Sequence, residues 1–378
     1  MTPVPPPDRV VVFRPDHLGD VLLTGPMLAA IRSRWPAADV TLVVGPWCAD
    51  VADRLPGVDH VETLPFPYFD RRPRASLLDP YRRLITAARA LRHASAAYDV
   101  AVIARDDDRW SALLARASGI PIVAGHATRR TRWVLTRRLP AARRPAHVAA
   151  AGVALIDALA GDRAAAGATG RRATPPSPAA HPMSFRLTDD DHARAAALLG
   201  SDVAAATARD SRAPRAPLVV HPGSGSPIKR WTPASWGAAV RALTAPDEPV
   251  VLTGGPDEVT LVAEVAAALG RPVIDLAGRT DLPTLAAVFA RCRAVAGPDS
   301  GPLHLAVAVG TPTVHLFGPA DAARFGPWGA AERHAVVAGG LVCAPCGRLD
   351  WPDLADHPCV RIIEVGRVVA AMRRVVGG

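Results

Sequence analysis

The sequence predicts an α/β protein of two doubly wound domains, each built on a parallel sheet. Three observations carry this. Valine-rich apolar runs alternate with helix-spaced segments along most of the chain. In the second half each apolar run ends in glycine. Between the halves, residues 160–182 (AGDRAAAGATGRRATPPSPAAHP) are almost wholly Ala, Gly, Pro, Ser and Arg, a composition that buries no core and reads as a linker. The expected division is 1–182, 183–360 and a C-terminal helix over 361–378 that packs back on the first domain. Ligands of open α/β sheets bind at the carboxyl ends of the strands, so the two domains are expected to face each other across a cleft.

The elements follow in order. RVVVFR (residues 9–14) is a buried strand, followed by the polar turn PDHLGD and a helix through VLLTGPMLAAIRSRW. DVTLVVG (39–45) is the second strand, residues 60–64 the third and YDVAVIA (98–104) the fourth, with a helical stretch over 84–97. After the linker, Thr188 or Asp189 caps a helix. A loose stretch, 204–217, precedes a second α/β series: LVVHPGSG, PVVLTGGPDE, VIDLAG, AVAGPDSG and TPTVHLFGP.

Composition limits the partners. The 378 residues carry a formal charge of +9, which favours anionic ligands, although an Arg-rich composition alone produces the same sign. No helix-turn-helix or RNP-type motif is present, so nucleic acid is not the expected partner. Five cysteines, an odd number, argue against a disulfide framework. No run of about 20 apolar residues exists to cross a membrane, and the N-terminal MTPVPPP has no signal-peptide pattern. The expected location is the cytoplasm, with peripheral contact at the inner membrane surface.

The most specific segment is GPDSGPLHLAVAVGTPTVHLFGP (297–319). Asp299 stands just past a strand, where a carboxylate accepts hydrogen bonds from sugar hydroxyls. Ser300 and Gly301 follow at a predicted helix N-terminus, whose free N–H groups and dipole suit a pyrophosphate. His304 lies one helical turn on. The competing reading is an ordinary Asp-Ser-Gly-Pro cap. A second segment, HPGSGSPIKRWTPASW (221–236), places small residues and then Lys229 and Arg230 after a strand. A third, LTGGPDE (252–258), offers Asp257 and Glu258; a fourth, RPDHLGDVLLTGPML (14–28), places Asp20 after Gly19.

Together these segments resemble the ADP-heptose:lipopolysaccharide heptosyltransferase family, glycosyltransferase family 9, over nearly the whole chain. The resemblance implies a GT-B fold of two Rossmann-like domains and an inverting, metal-independent glycosyltransferase without a cofactor. The donor is ADP-heptose or a related nucleotide sugar; the acceptor is an anionic glycan or glycolipid. It implies that Asp20 is the general base, with Asp16 and His17 as rivals. It implies that Ser224, Ser226, Lys229, Glu258, Asp299, Ser300, Gly301 and His304 hold the nucleotide sugar. Lys229 further stabilises the leaving pyrophosphate, and a carboxylate at Glu258, favoured over Asp257, suits the ribose diol. Basic side chains of the first domain, Arg71, Arg72 and Arg132, are the acceptor candidates. Cys343, Cys346 and Cys359 form a CxxC with a third thiol 13 residues on and His357 beside it; a structural zinc site usually has four ligands, so they are a metal candidate only. No DxD-like pair stands where Mg²⁺ would meet the pyrophosphate; the acidic run 106–108 lies in the other domain. Two other readings are a related transferase using another nucleotide sugar or a protein or small-molecule acceptor, and a non-enzymatic anion-binding protein.

Overall fold

The structure, a computed structural model, describes residues 3–69, 76, 78–94, 98–140, 147–161, 176–200, 203, 216–349 and 357–377. The chain divides into two compact units, Met1–Met183 and Ser184–Gly378.

In the first unit, six parallel strands form one sheet: β1 (Arg9–Arg14), β2 (Asp39–Val44), β3 (His60–Thr63), β4 (Val100–Ile103), β5 (Ile122–Ala127) and β6 (Arg137–Pro140), in the order β3-β2-β1-β4-β5-β6. β1 and β4 are central and apolar on both faces, as buried parallel strands must be. The last two strands were not anticipated. β6 is RRLP, an edge strand whose Arg and Pro side chains give no apolar run. The predicted first helix is two helices, Leu18–Leu22 and Gly25–Arg34. The break falls where Pro26, which lacks an N–H, opens the second helix and Thr24 Oγ1 donates to the Asp20 carbonyl.

The second unit repeats the plan. Its strands are β7 (Leu218–Val220), β8 (Val250–Leu252), β9 (Ile274–Asp275), β10 (Ala294–Pro298), β11 (Thr313–Phe317) and β12 (His334–Ala338), all parallel in the order β12-β11-β10-β7-β8-β9. Read from the β9 edge, this is the same order as in the first unit. Both sheets therefore reverse direction beside their first strand, between β1 and β4 and between β7 and β10, and ligands of such sheets sit at that crevice. Of the two caps expected for the helix Asp189–Leu199, Thr188 is the one used: it forms a capping box with Asp191.

The C-terminal helix, Val365–Gly377, closes the second unit. Its stripe Val368, Val369, Met372 and Val375 is buried in the core of the second unit with Trp231 and Trp236. Trp231 also donates from its ring nitrogen to the Ile363 carbonyl at 3.1 Å and meets Trp236 edge-on at 4.9 Å. These large side chains anchor the segment that begins just after Lys229.

Candidate functional site

The second unit's crevice is built from the loops after β7, β8 and β10. β7 ends at Val220, and His221 continues the strand far enough to donate its N–H to the Ala296 carbonyl of β10 at 2.9 Å. Gly297 permits this approach, because a Cβ there would stand 2.5 Å from the His221 carbonyl oxygen. The loop then runs through Ser224 to a short 3-10 turn, Pro227–Lys229.

Lys229 reaches back across the crevice. Its Nζ donates to Asp299 Oδ2 at 2.6 Å and to the Asp299 carbonyl at 3.3 Å. Asp299 is 6 % exposed, and His304 Nε2 stands 3.8 Å from its other carboxylate oxygen. Burial alone would raise this carboxyl; His304 and the Lys229 ammonium outweigh it and hold the group down at about 2. Asp299 is thus an ionised carboxylate engaged with a lysine.

Directly after Asp299, Ser300 is the N-cap of the helix Gly301–Ala308, but its side chain makes no cap hydrogen bond. Ser300 Oγ and His304 Nδ1 are buried with no hydrogen-bond partner among the described residues. Both atoms lie beside a helix N-terminus and Lys229, where free N–H groups and a cation suit an anion.

Glu258 closes the crevice on the β8 side. Its Oε2 accepts from the Gly255 N–H at 2.9 Å, capping its own turn, while Oε1 lies 3.8 Å from Arg230. Its carboxylate fills the space over Gly223, where a Cβ would come within 2.1 Å of it. Asp257, its rival, is exposed. Ser224 is buried and takes the Ser226 N–H on its hydroxyl at 3.4 Å. The Ser226 hydroxyl donates to the Leu349 carbonyl at 2.7 Å.

Three buried histidines of the second unit are neutral: burial, with His304 beside it, holds His315 well below its ordinary value. Burial, against the opposing field of Glu258, lowers His221 to about 4, and burial together with Arg333 lowers His334 to about 4. The unfolded chain protonates near pH 6.5, so it binds more protons than the folded state between pH 6.5 and 4, and stability rises with pH through that window. Urea unfolding is expected to show a fall on the order of a few kcal/mol from pH 7 to pH 4.5. His334→Gln should flatten this slope; an unaltered slope in that variant would exclude His334 as a source.

In the first unit the equivalent crevice holds Asp20. It lies inside the helix Leu18–Leu22, whose N-cap is His17, so Asp20 is not the cap. Its side chain is one-third exposed and its Oδ1 accepts from Arg14 Nη2 at 2.8 Å. The rival Asp16 is 2 % exposed and lies between Arg14, at 3.0 Å, and Arg105; its carbonyl takes the Trp47 ring N–H at 3.0 Å. The rival His17 packs its ring at 5.8 Å from Trp47. In the acidic run 106–108, Asp107 pairs with Arg105 at 2.7 Å, and Asp108 caps the helix Arg109–Ala117 through the Ser111 N–H at 3.0 Å. Sequence reasoning missed Arg14 and Arg105, whose signal was only their place at the ends of β1 and β4.

Of the acceptor candidates, Arg132 is exposed and lies 4.5 Å from the exposed Trp133 ring. Arg71 and Arg72 lie outside the described residues. Cys343 is exposed, Cys346 half-buried and Cys359 buried. Among the described residues, no three metal-ligating side chains converge, these thiols and His357 included.

The model of glycosyltransferase family 9 (heptosyltransferase) matches residues 85–349. Lipopolysaccharide heptosyltransferase 3 of Escherichia coli is 38% identical over 114 residues, 29% of this chain and 34% of that protein, so the match spans about a third of the relative's length. Two solved structures share the fold. The glycosyl transferase family 9 protein of Veillonella parvula superposes with a TM-score of 0.74 at 21% identity, covering 98% of this chain and 97% of that one. The E. coli ADP-heptose lps heptosyltransferase II superposes with a TM-score of 0.69 at 18% identity, covering 97% and 98%. The family model covers both the crevice of the second unit and its Lys229–Asp299 pair, and by that match the chain belongs to glycosyltransferase family 9, the heptosyltransferases.

Proposed function

We propose that this protein transfers a heptosyl residue from ADP-heptose, or a related nucleotide sugar, to a hydroxyl of an anionic acceptor such as a lipopolysaccharide-core glycan, with inversion at the anomeric carbon. The observation that carries the reading is the Lys229–Asp299 pair beside the N-terminus of the helix Gly301–Ala308, where Ser300 Oγ and His304 Nδ1 have no hydrogen-bond partner among the described residues. A diphosphate supplies the acceptor oxygens that these groups lack. The E. coli neighbour, named for ADP-heptose, supports the identity of the donor.

In this reading the Asp20 carboxylate takes the proton of the acceptor hydroxyl as its oxygen bonds to the anomeric carbon. The bond from that carbon to the β-phosphate oxygen breaks, and ADP leaves with the electron pair. Lys229 and the amides near Ser300 and Gly301 stabilise the charge that develops on it. Glu258 holds the ribose, and Arg132, with Arg71 and Arg72, meets the acidic acceptor. Protein cations stand in for a divalent metal at the diphosphate. No described helix is long and apolar enough to cross a membrane; the proposed setting is the cytoplasm, at the inner membrane surface when the acceptor is lipid-linked.

A thermal-shift titration of ADP-, UDP- and GDP-sugars tests the donor assignment. A ligand at a hundredfold excess over its Kd stabilises by about 2.7 kcal/mol. ADP-heptose is expected to raise the melting temperature and to lose that effect in Asp299→Ala. Stabilisation by a UDP-sugar alone would reassign the nucleotide, and none by any sugar nucleotide would favour a simple anion-binding protein.

A further inference from the structure

The helix Asp79–Ala94 has two dissimilar faces. Ala87, Ala88 and Leu91 are buried in the core of the first unit with Trp110, whose ring nitrogen donates to the Pro80 carbonyl at 3.0 Å. That stripe fixes the helix on the sheet. The outer stripe is not the polar face usual for a surface helix. Leu78, whose carbonyl accepts from the Tyr81 and Arg82 N–H groups, is 59 % exposed, Tyr81 is 65 % exposed and Ile85 51 %. Arg82, Arg89 and Arg92 are exposed as well. Leu78, Arg82, Ile85, Arg89 and Arg92 follow one another at steps of four and three residues, so they form a line along the helix with Tyr81 beside it. Single exposed apolar side chains are ordinary, but a group of them interleaved with arginines marks an interaction surface.

The charge on this face has one sign. The helix sequence DPYRRLITAARALRHA contains a single acid, Asp79, which Arg83 takes in an i,i+4 pair at 2.7 Å. Arg92 donates to the Ala117 carbonyl. Arg82 and Arg89 thus stand as exposed cations among Leu78, Tyr81 and Ile85. This chemistry fits a bilayer surface. In an interfacial helix the apolar groups enter the boundary between headgroups and acyl chains, and arginine stems lie along it with their guanidiniums at anionic headgroups. A second copy of the chain would set Arg82 and Arg89 against like charge across a twofold contact. A nucleic acid would engage the guanidiniums through its phosphates and leave Leu78 and Ile85 without an apolar partner. A further aromatic lies at the same end of the sheet. Arg83 donates to the Pro65 carbonyl just past β3 at 3.2 Å, which places the helix start there, and exposed Trp133 follows β5, a strand parallel to β3. Such rings settle at the membrane–water boundary.

We propose that the outer face of the helix Asp79–Ala94 docks the protein on an anionic lipid bilayer, with Leu78, Tyr81 and Ile85 entering the interface and Arg82 and Arg89 meeting the headgroups. The proposal deepens the peripheral setting given above and rests on it. Its test needs neither donor nor turnover, so failure of docking and failure of the heptosyl-transfer reading are seen separately.

The full chain is sedimented with vesicles of phosphatidylcholine, alone or mixed with phosphatidylglycerol. Binding is expected only to the anionic vesicles. It should fall as salt rises from about 0.1 M to about 1 M, over which the Debye length shrinks from about 10 Å to about 3 Å. Arg82→Gln/Arg89→Gln should lower the partition coefficient on the order of tenfold or more, the worth of two arginines at an anionic surface. Tyr81→Ser/Ile85→Ser should weaken binding with the net charge unchanged. Both variants should keep the wild-type melting temperature and wild-type transfer to a lipid-free acceptor. The control Arg361→Gln/Arg374→Gln removes the same charge from exposed positions of the second unit and should bind as wild type. An equal loss in that control would reduce the effect to net charge and overturn the proposal. Binding indifferent to phosphatidylglycerol or to Tyr81 and Ile85 would also overturn it. Absence of vesicle binding would do the same; duplex DNA held through Arg82 and Arg89, or a dimer dissolved by Tyr81→Ser/Ile85→Ser, would then reassign the face to nucleic acid or to a second copy.

Discussion

Asp20→Asn is expected to lower single-turnover heptosyl transfer on the order of 10²–10⁴-fold, the usual worth of a general base, while donor affinity stays at the wild-type value. The substitution keeps size and keeps an oxygen that accepts from Arg14, so the contact at 2.8 Å survives while the basicity does not. The helix Leu18–Leu22 loses no cap, since His17 holds that position. Every residue proposed for the nucleotide belongs to the other unit. Transfer and donor binding, measured on one preparation, separate the outcomes. Near-normal transfer would return attention to His17, since Asp16 is buried between two arginines. Loss of both binding and melting temperature would mark Asp20 as structural.

Lys229→Met is expected to act on stability and on turnover through one contact. Removing the ammonium leaves Asp299, buried and ionised, without its cation. Breaking a buried pair by removing one partner costs about 3–5 kcal/mol. The loss of a charge aimed at the leaving group lowers kcat by about 10²–10³-fold. The double variant Lys229→Met/Asp299→Asn separates the two. It has no uncompensated carboxylate, so urea unfolding should return towards wild type while transfer stays low. Recovery of transfer together with stability would show that Lys229 only neutralises Asp299.

Both sheets were legible where strands are central. Buried parallel strands read as unbroken valine-rich runs, which is why β1, β2, β4, β7, β8 and β10 stand out in the sequence. β6 did not, because RRLP sits at an edge where Arg and Pro blunt further pairing. The positions of Ser300, Gly301 and His304 at a helix start could be read from Asp-Ser-Gly-Pro, since cap and proline are local signals. What could not be read was who pairs with whom. Lys229 and Asp299 are 70 residues apart, and only the adjacency of β7 and β10 joins them. The bond from Ser226 to Leu349, 123 residues on, is equally invisible in the sequence. Arg14 was obscured by composition: in a chain with 44 Lys and Arg residues, one more arginine at a strand end carries little signal until its partners are seen.

The central claim, that this chain moves heptose from ADP-heptose to an anionic glycan by means of its own side chains, is tested most directly by the products of a single turnover. The full chain, in excess over donor and in the presence of EDTA, is mixed with ADP-heptose and truncated lipopolysaccharide core lacking its heptoses, and both products are followed by mass spectrometry and NMR. The account predicts a core heavier by a single heptosyl residue, with the anomeric configuration opposite to that of the donor, and ADP released in equal amount. An unmodified core with ADP-heptose intact, or transfer that appears only when Mg²⁺ or Mn²⁺ is restored, would contradict it.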